Sequence, residues 1–287
     1  MSKTRIVKQV LTSVPTLEGA GVHLKRAFGY HQVPLLDPFL MLDHFESSNP
    51  ADYEAGFPWH PHRGIETISY VLEGVVEHGD SMGNKGAIGA GDVQWMTAGS
   101  GIIHQEMPKG SRAQHRLLGF QLWSNLPASH KMMAPRYQEI ASHQIPELTL
   151  ANGIRVRLIC GRLEGKKGPV RDIITDPEYL DVTMPSKTVF QHPVKPGHTV
   201  FAYVFKGSGQ FDPASPALTG TDHVLLFGDG DEVVVASGEI GVRFLLVSGN
   251  PLGEPVAWQG PIVMNTDAEL ATAFKEFSNG TFLKHSR

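Results

Sequence analysis

A chain of 287 residues is long enough for one large domain or two smaller ones and buries about 75% of its unfolded surface when compact, so it needs no covalent staples. Its single cysteine, Cys160, excludes an internal disulfide and thiolate metal sites and fits a reducing compartment. A net charge of -4, from 25 Lys+Arg against 29 Asp+Glu, gives no global attraction for nucleic acid; with no leader-like start and no apolar run of about 18 residues, the expectation is a cytoplasmic protein with no direct nucleic-acid or membrane partner.

In chain order, 31 glycines and 20 prolines break the sequence into short apolar pieces rich in β-branched and aromatic residues. These are ETISYVLEGVVEHG, GDVQWMTAG, RLLGFQLWS, IRVRLICG, YLDVTMP, HTVFAYVFKGSG, HVLLFG, DEVVVASG and VRFLLVSG. Each is too short for a helix and is bounded by turn residues, so the chain is predicted to be all-β. One helix is predicted, in TDAELATAFKEFSNG near the C-terminus. Thr266 and Glu269 make a capping box, Leu270, Phe274 and Phe277 form one face, and Gly280 lies where the helix should stop. That face is expected to close a sheet edge or a gap between domains.

The series over residues 65–123 is echoed over 179–248, with YVLEGVVEHG matched by YVFKGSGQFD and GAGDVQWM by FGDGDEVVV. Two related β-barrels in one chain are the simplest account. The proline-bearing stretch NLPASHKMMAPRYQEIASHQIPELTLANG lies between them, and the division is placed at 1–135 and 136–287, with 145 as an alternative boundary. The densest basic segment, GRLEGKKGPVR at 161–171, reads as a solvated loop, with docking of an anionic partner as the other reading.

Two pairs of residues carry the chemistry. In FPWHPHRGIETISYVLEG, His60 and His62 are two apart; in GSGIIHQEMP, so are His104 and Glu106. A strand has a side-chain period of two, so each pair shares a face, and two such pairs on neighbouring strands bring four ligands to one point. Three imidazoles and a carboxylate suit a borderline divalent metal. Pro61 stiffens the first pair, and Phe57, Trp59, Trp95 and Met96 are candidates for a dry wall around the metal, although Trp95 and Met96 alternate in direction, so at most one should line the cavity. Of the remaining histidines, His78, His115, His130, His143, His192, His198 and His223 are assigned to structure or surface.

The stretches MLDHFESSNPADYEAGFPWHPHRGIETISYVLEG, GDVQWMTAGSGIIHQEMP and LLGFQLWSNLPASHKMMAPRYQ resemble the pirin family, a branch of the bicupins, and the likeness continues more faintly to the C-terminal helix. The resemblance implies a bicupin: two β-barrel (double-stranded β-helix) domains with a short C-terminal helix, the N-terminal cupin binding metal and the C-terminal one metal-free. It further implies one Fe(2+) per chain held by His60, His62, His104 and Glu106, a donor set that Ni, Cu, Mn or Zn also accepts. Glu66 occupies the place where ordinary cupins put a metal-binding glutamate and stays a second candidate carboxylate. The C-terminal half has no HxH pair, and its barrel is expected to be filled with apolar side chains and to act as scaffold.

Similarity to bacterial pirins resembling quercetin 2,3-dioxygenases implies an oxidoreductase that takes a flavonol and dioxygen and releases carbon monoxide. Glu106 would then act as ligand and as general base toward the 3-hydroxyl. The alternative implied by the family is a metal- or redox-sensing regulator that docks a transcriptional regulator or a metabolic enzyme. A cupin isomerase or sugar-modifying enzyme is a third reading. A monomer is expected. A cavity mouth open to a flavonol favours catalysis, whereas closure by the segment DHFESSNPADYEAG favours sensing.

Overall fold

The sequence IETISYVLE forms a strand, Ile65–Glu73, whose first seven residues are all buried. Polar-apolar alternation fades there because the strand lies inside a sheet, between Val93–Thr97 and Leu117–Asn125. By contrast Ile102–Lys109 alternates, with Ile102, His104, Glu106 and Pro108 buried and the residues between them half-buried. The computed structural model describes residues 2–110 and 115–285.

Two β-sheet, cupin-like domains and a C-terminal helix make up the fold. The first unit comprises Val14–Pro34, Phe39–Ser142 and Leu252–Arg287; the second comprises Met1–Ser13, Leu35–Pro38 and His143–Pro251. A cut at residue 136 therefore separates each chain end from the sheet or core it belongs to. In the second unit Val7–Thr12 pairs with His223–Phe227, and the buried Arg5 donates to the carbonyls of Gly230 at 3.0 Å, His198 at 2.9 Å and Lys195 at 3.1 Å. These partners are more than 180 residues away in sequence, beyond the reach of any local pattern.

The first unit holds a seven-stranded antiparallel sheet and a four-stranded one, Phe57–His62 with Ile102–Lys109, Val75–Asp80 and Lys85–Ile88. Val22, Leu24, Phe45, Val71, Val76 and Ile88 form one apolar cluster that joins the two sheets. The second unit holds an eight-stranded sheet around an apolar cluster that includes Val200, Val204, Val233, Phe244 and Leu246, so its interior is filled with apolar side chains.

The helix is Asp267–Ser278, and its capping box is as expected: Thr266 Oγ1 accepts from the Glu269 N–H at 3.2 Å and Glu269 Oε2 accepts from the Thr266 N–H at 2.9 Å. Its buried face differs by one turn from the predicted one. Leu270 and Ala273 are buried with Phe274 packed beside them, whereas Phe277 is 42% exposed and sets its ring edge-on to Phe282 at 5.5 Å. The strands that the helix packs on, Ala257–Gln259 and Ile262–Met264, have three residues each, too few to cover the last turn.

Two buried cations tie this C-terminal segment to the HxH strand. Arg63 donates to the carbonyls of Ser100 and Phe282, both at 2.7 Å, pairs with Glu276 at 2.8 Å, and lies 4.2 Å from the Phe282 ring centre. Lys131 donates to Gly64, Asn125 and Val263, and burial pushes its amine down to about 8. Gly64 has φ +79°, and a Cβ there would overlap the Val263 carbonyl oxygen. Replacing Arg63 with Ala leaves the Ser100 and Phe282 carbonyls unpaired and takes from Glu276 one of its two cations, Lys284 being the other, and a loss of about 3–5 kcal/mol is expected in urea unfolding. A loss under about 1 kcal/mol would mean that the segment is held mainly by apolar packing. Among the described residues no helix is long and apolar enough to cross a membrane.

Candidate metal centre

His60 and His104 sit directly opposite one another where Phe57–His62 pairs with Ile102–Lys109, and His62 faces Ile102. Beyond them the register shifts, so that Glu106 meets Phe57 and not Pro58. An extra residue on the proline-bearing strand is a bulge, and a bulge re-aims side chains. The three imidazoles converge. His60 Nε2 lies 3.1 Å from His62 Nε2 and 3.0 Å from His104 Nε2. Among the described residues they are the one cluster of three or more His, Cys, Asp or Glu whose ligand atoms all lie within 4.8 Å of one another.

The other ring nitrogens fix the tautomers. His60 Nδ1 lies 2.8 Å from the Pro58 carbonyl and His62 Nδ1 lies 3.1 Å from the Pro261 carbonyl. A carbonyl can only accept, so each Nδ1 carries the hydrogen and each Nε2 presents a lone pair. Two such lone pairs 3.1 Å apart repel unless a cation lies between them. The donor set therefore fits a divalent metal bound through Nε2, with the outer carbonyls orienting the rings.

Burial, and the neighbouring imidazoles after it, hold His62 and His104 well below the ordinary histidine value. Both stay neutral ligands in the metal-free protein, while the unfolded chain protonates near pH 6.5. The unfolded state thus binds more protons below that pH, and stability falls as pH falls through it. Thermal melts of the metal-free protein are expected to lose midpoint steadily from pH 7 to pH 5. A flat profile there would contradict the buried neutral pair.

Glu106 is buried and doubly held. Its Oε1 accepts from Ser69 Oγ at 3.1 Å and its Oε2 from Gln121 Nε2 at 2.9 Å, while Trp123 Nε1 donates to Gln121 Oε1 at 3.1 Å and so fixes the amide's orientation. Glu106 stands outside the imidazole cluster but lines the same cavity as His60 and His62. Glu66, also buried, accepts from Thr97 Oγ1 at 2.6 Å and does not line that cavity. Burial pushes its carboxyl up, against the Thr97 hydroxyl, Trp95 and Arg136.

The cavity measures about 620 Å³. Phe57 lines it as expected, but Trp59 is 53% exposed, and Trp95 and Met96 are both buried away from it. The aromatic wall comes instead from Tyr30, Trp123 and Trp258. Gln121 and Trp123 are two apart in GFQLWS, so strand parity signals their shared face; Trp258 and Pro261 give no such signal, lying almost 200 residues from the HxH pair. At the same cavity Arg26 makes a bidentate pair with Asp43 at 2.9 and 2.8 Å and meets Glu18 at 2.8 Å. Of the segment DHFESSNPADYEAG only Asp43 lines the cavity, so that segment does not close it.

The pirin family profile matches residues 21–124, and that of the pirin C-terminal cupin domain matches residues 179–283. The chain belongs to the pirin family. It is 44% identical to a pirin-like protein of Caulobacter vibrioides, over 97% of this chain and 99% of that protein, and 39% identical to pirin of Mus musculus, over 97% and 94%. Among solved structures it is similar to a quercetin 2,3-dioxygenase from Acinetobacter baumannii, with 31% identity, a TM-score of 0.89, and coverage of 97% of this chain and 98% of that one. In this pirin family chain the three-histidine cluster is thus a candidate divalent-metal centre beside an aromatic-walled cavity.

Proposed function

We propose that the chain is an iron-dependent dioxygenase that opens the heterocycle of a flavonol and releases carbon monoxide. The observation that carries this reading is a group of three converging imidazole nitrogens beside a cavity of about 620 Å³ that also presents a fixed carboxylate. Its volume falls in the range of small-molecule sites, about 300–1,000 Å³. The Acinetobacter baumannii relative's name, quercetin 2,3-dioxygenase, adds support.

His60, His62 and His104 would hold the ion, with Glu106, which lines the same cavity, as a further ligand. Bound there, iron(II) supplies a Lewis acid and a route for electrons to dioxygen. The chain's own groups do the rest. Glu106 Oε2 takes the proton of the flavonol 3-hydroxyl, and Gln121 and Ser69 keep that carboxylate aimed while the proton moves. Tyr30, Phe57, Trp123 and Trp258 grip flat rings and exclude water. The test is anaerobic reconstitution with iron(II), then quercetin and oxygen. Loss of the flavonol band with about equal release of carbon monoxide is expected. Binding without loss of the band would contradict the proposal.

A further inference from the structure

The second unit carries a cavity of about 730 Å³ at the position that corresponds to the metal cavity of the first. Aligning Tyr70-Val71 with Tyr203-Val204 superposes Gly64 on Gly197, both with positive φ, +79° and +76°. It also sets Pro193 where His60 stands and Lys195 where His62 stands. The sheets agree. Trp123 pairs with Met41 and Thr67, and Ser248 pairs with Glu178 and Val200, so Ser248 corresponds to Trp123 and Glu178 to Met41. Pro193, Lys195, Glu178 and Ser248 all line the second cavity. One architectural site thus occurs twice, once with ligand nitrogens and aromatic rings, once with polar and charged groups.

Four cations, Arg162, Lys167, Arg171 and Lys195, line the second cavity with three carboxylates, Asp172, Asp176 and Glu178. The short hairpin Arg162–Leu163 and Lys166–Lys167 puts Arg162 directly opposite Lys167, and both line the cavity. Like charges face to face on a hairpin are destabilising. Neither side chain has an ion pair among the described residues, whereas Lys195 is paired with Asp176 and Glu178 with His192. Ser248 is only 4% exposed, and its hydroxyl has no hydrogen-bond partner among the described residues. A hydroxyl without a partner, open to a cavity that two exposed cations without an ion pair also line, is an arrangement an anion can complete.

We propose that this cavity binds a small organic dianion, with Arg162 and Lys167 meeting its charge and Ser248 and Glu178 meeting its polar remainder. Phosphate monoesters and dicarboxylates share that chemistry, and two probes separate them. The metal-loaded full chain is titrated calorimetrically at low ionic strength with inorganic phosphate and, separately, with succinate. Saturable one-to-one binding of at least one is expected, weakened about tenfold or more by Arg162→Gln with Lys167→Gln, and several-fold by Ser248→Ala. The same binding should survive His62→Ala, which removes the metal centre. Failure of both probes to saturate would overturn the proposal. So would binding that the double variant or Ser248→Ala leaves unchanged, or that His62→Ala abolishes. None of these outcomes depends on turnover of a flavonol.

Discussion

Glu106→Gln is expected to lower flavonol turnover by about 10²-fold or more while reducing metal affinity only modestly. The substitution keeps the side chain's size but removes its charge and its capacity to take a proton. It also disturbs the surroundings. The Gln121 amide is committed by Trp123 to point its N–H toward residue 106, and a new amide there can accept from it only through its single oxygen. Its other end then presents a donor to Ser69, whose hydroxyl can turn to accept. The fold should therefore tolerate the change while the chemistry does not. Glu66→Gln gives the contrasting case: its carboxyl is pushed up by burial and held by Thr97, so a neutral amide fits, and turnover should fall by less than about tenfold. If Glu66→Gln abolished metal binding and Glu106→Gln left binding and turnover intact, the carboxylate assignment would be reversed.

His62→Ala is expected to remove the metal altogether. The unmutated protein should hold about one ion per chain, and the variant's affinity should fall by more than the 10–100-fold that losing an outer partner costs. The reason is geometric. His62 is buried, as His104 is, its ring fixed by the Pro261 carbonyl on one side and set edge-on to Trp123 at 5.1 Å on the other. No nearby side chain replaces its Nε2. Metal retained at full occupancy in the variant would mean that the ion sits elsewhere.

The two pairs of site residues are legible in the sequence because strand parity is a local property: HPH and HQE each need only that their segment be extended. The bulge that shifts Glu106 to Phe57 is not legible, since it depends on how two strands far apart in sequence meet. The aromatic wall divides the same way. Gln121 and Trp123 follow from parity, whereas Trp258 and the Pro261 carbonyl arrive through long-range packing held by Arg63 and Lys131. Trp95 and Met96, read as wall candidates, belong to the core because their strand lies within the sheet and is covered on both faces. The basic segment at 161–171 read as a loop by its glycines and proline, but only the folded chain shows Arg162 paired opposite Lys167 and both lining one cavity with Arg171.

The measurement that bears most directly on the metal centre is X-ray diffraction at the iron absorption edge from crystals reconstituted anaerobically with iron(II). One anomalous peak per chain is expected, within bonding distance of Nε2 of His60, His62 and His104 and of a Glu106 oxygen. A peak bound by Glu66, a peak in the second unit, or no peak at the three imidazoles would contradict the account.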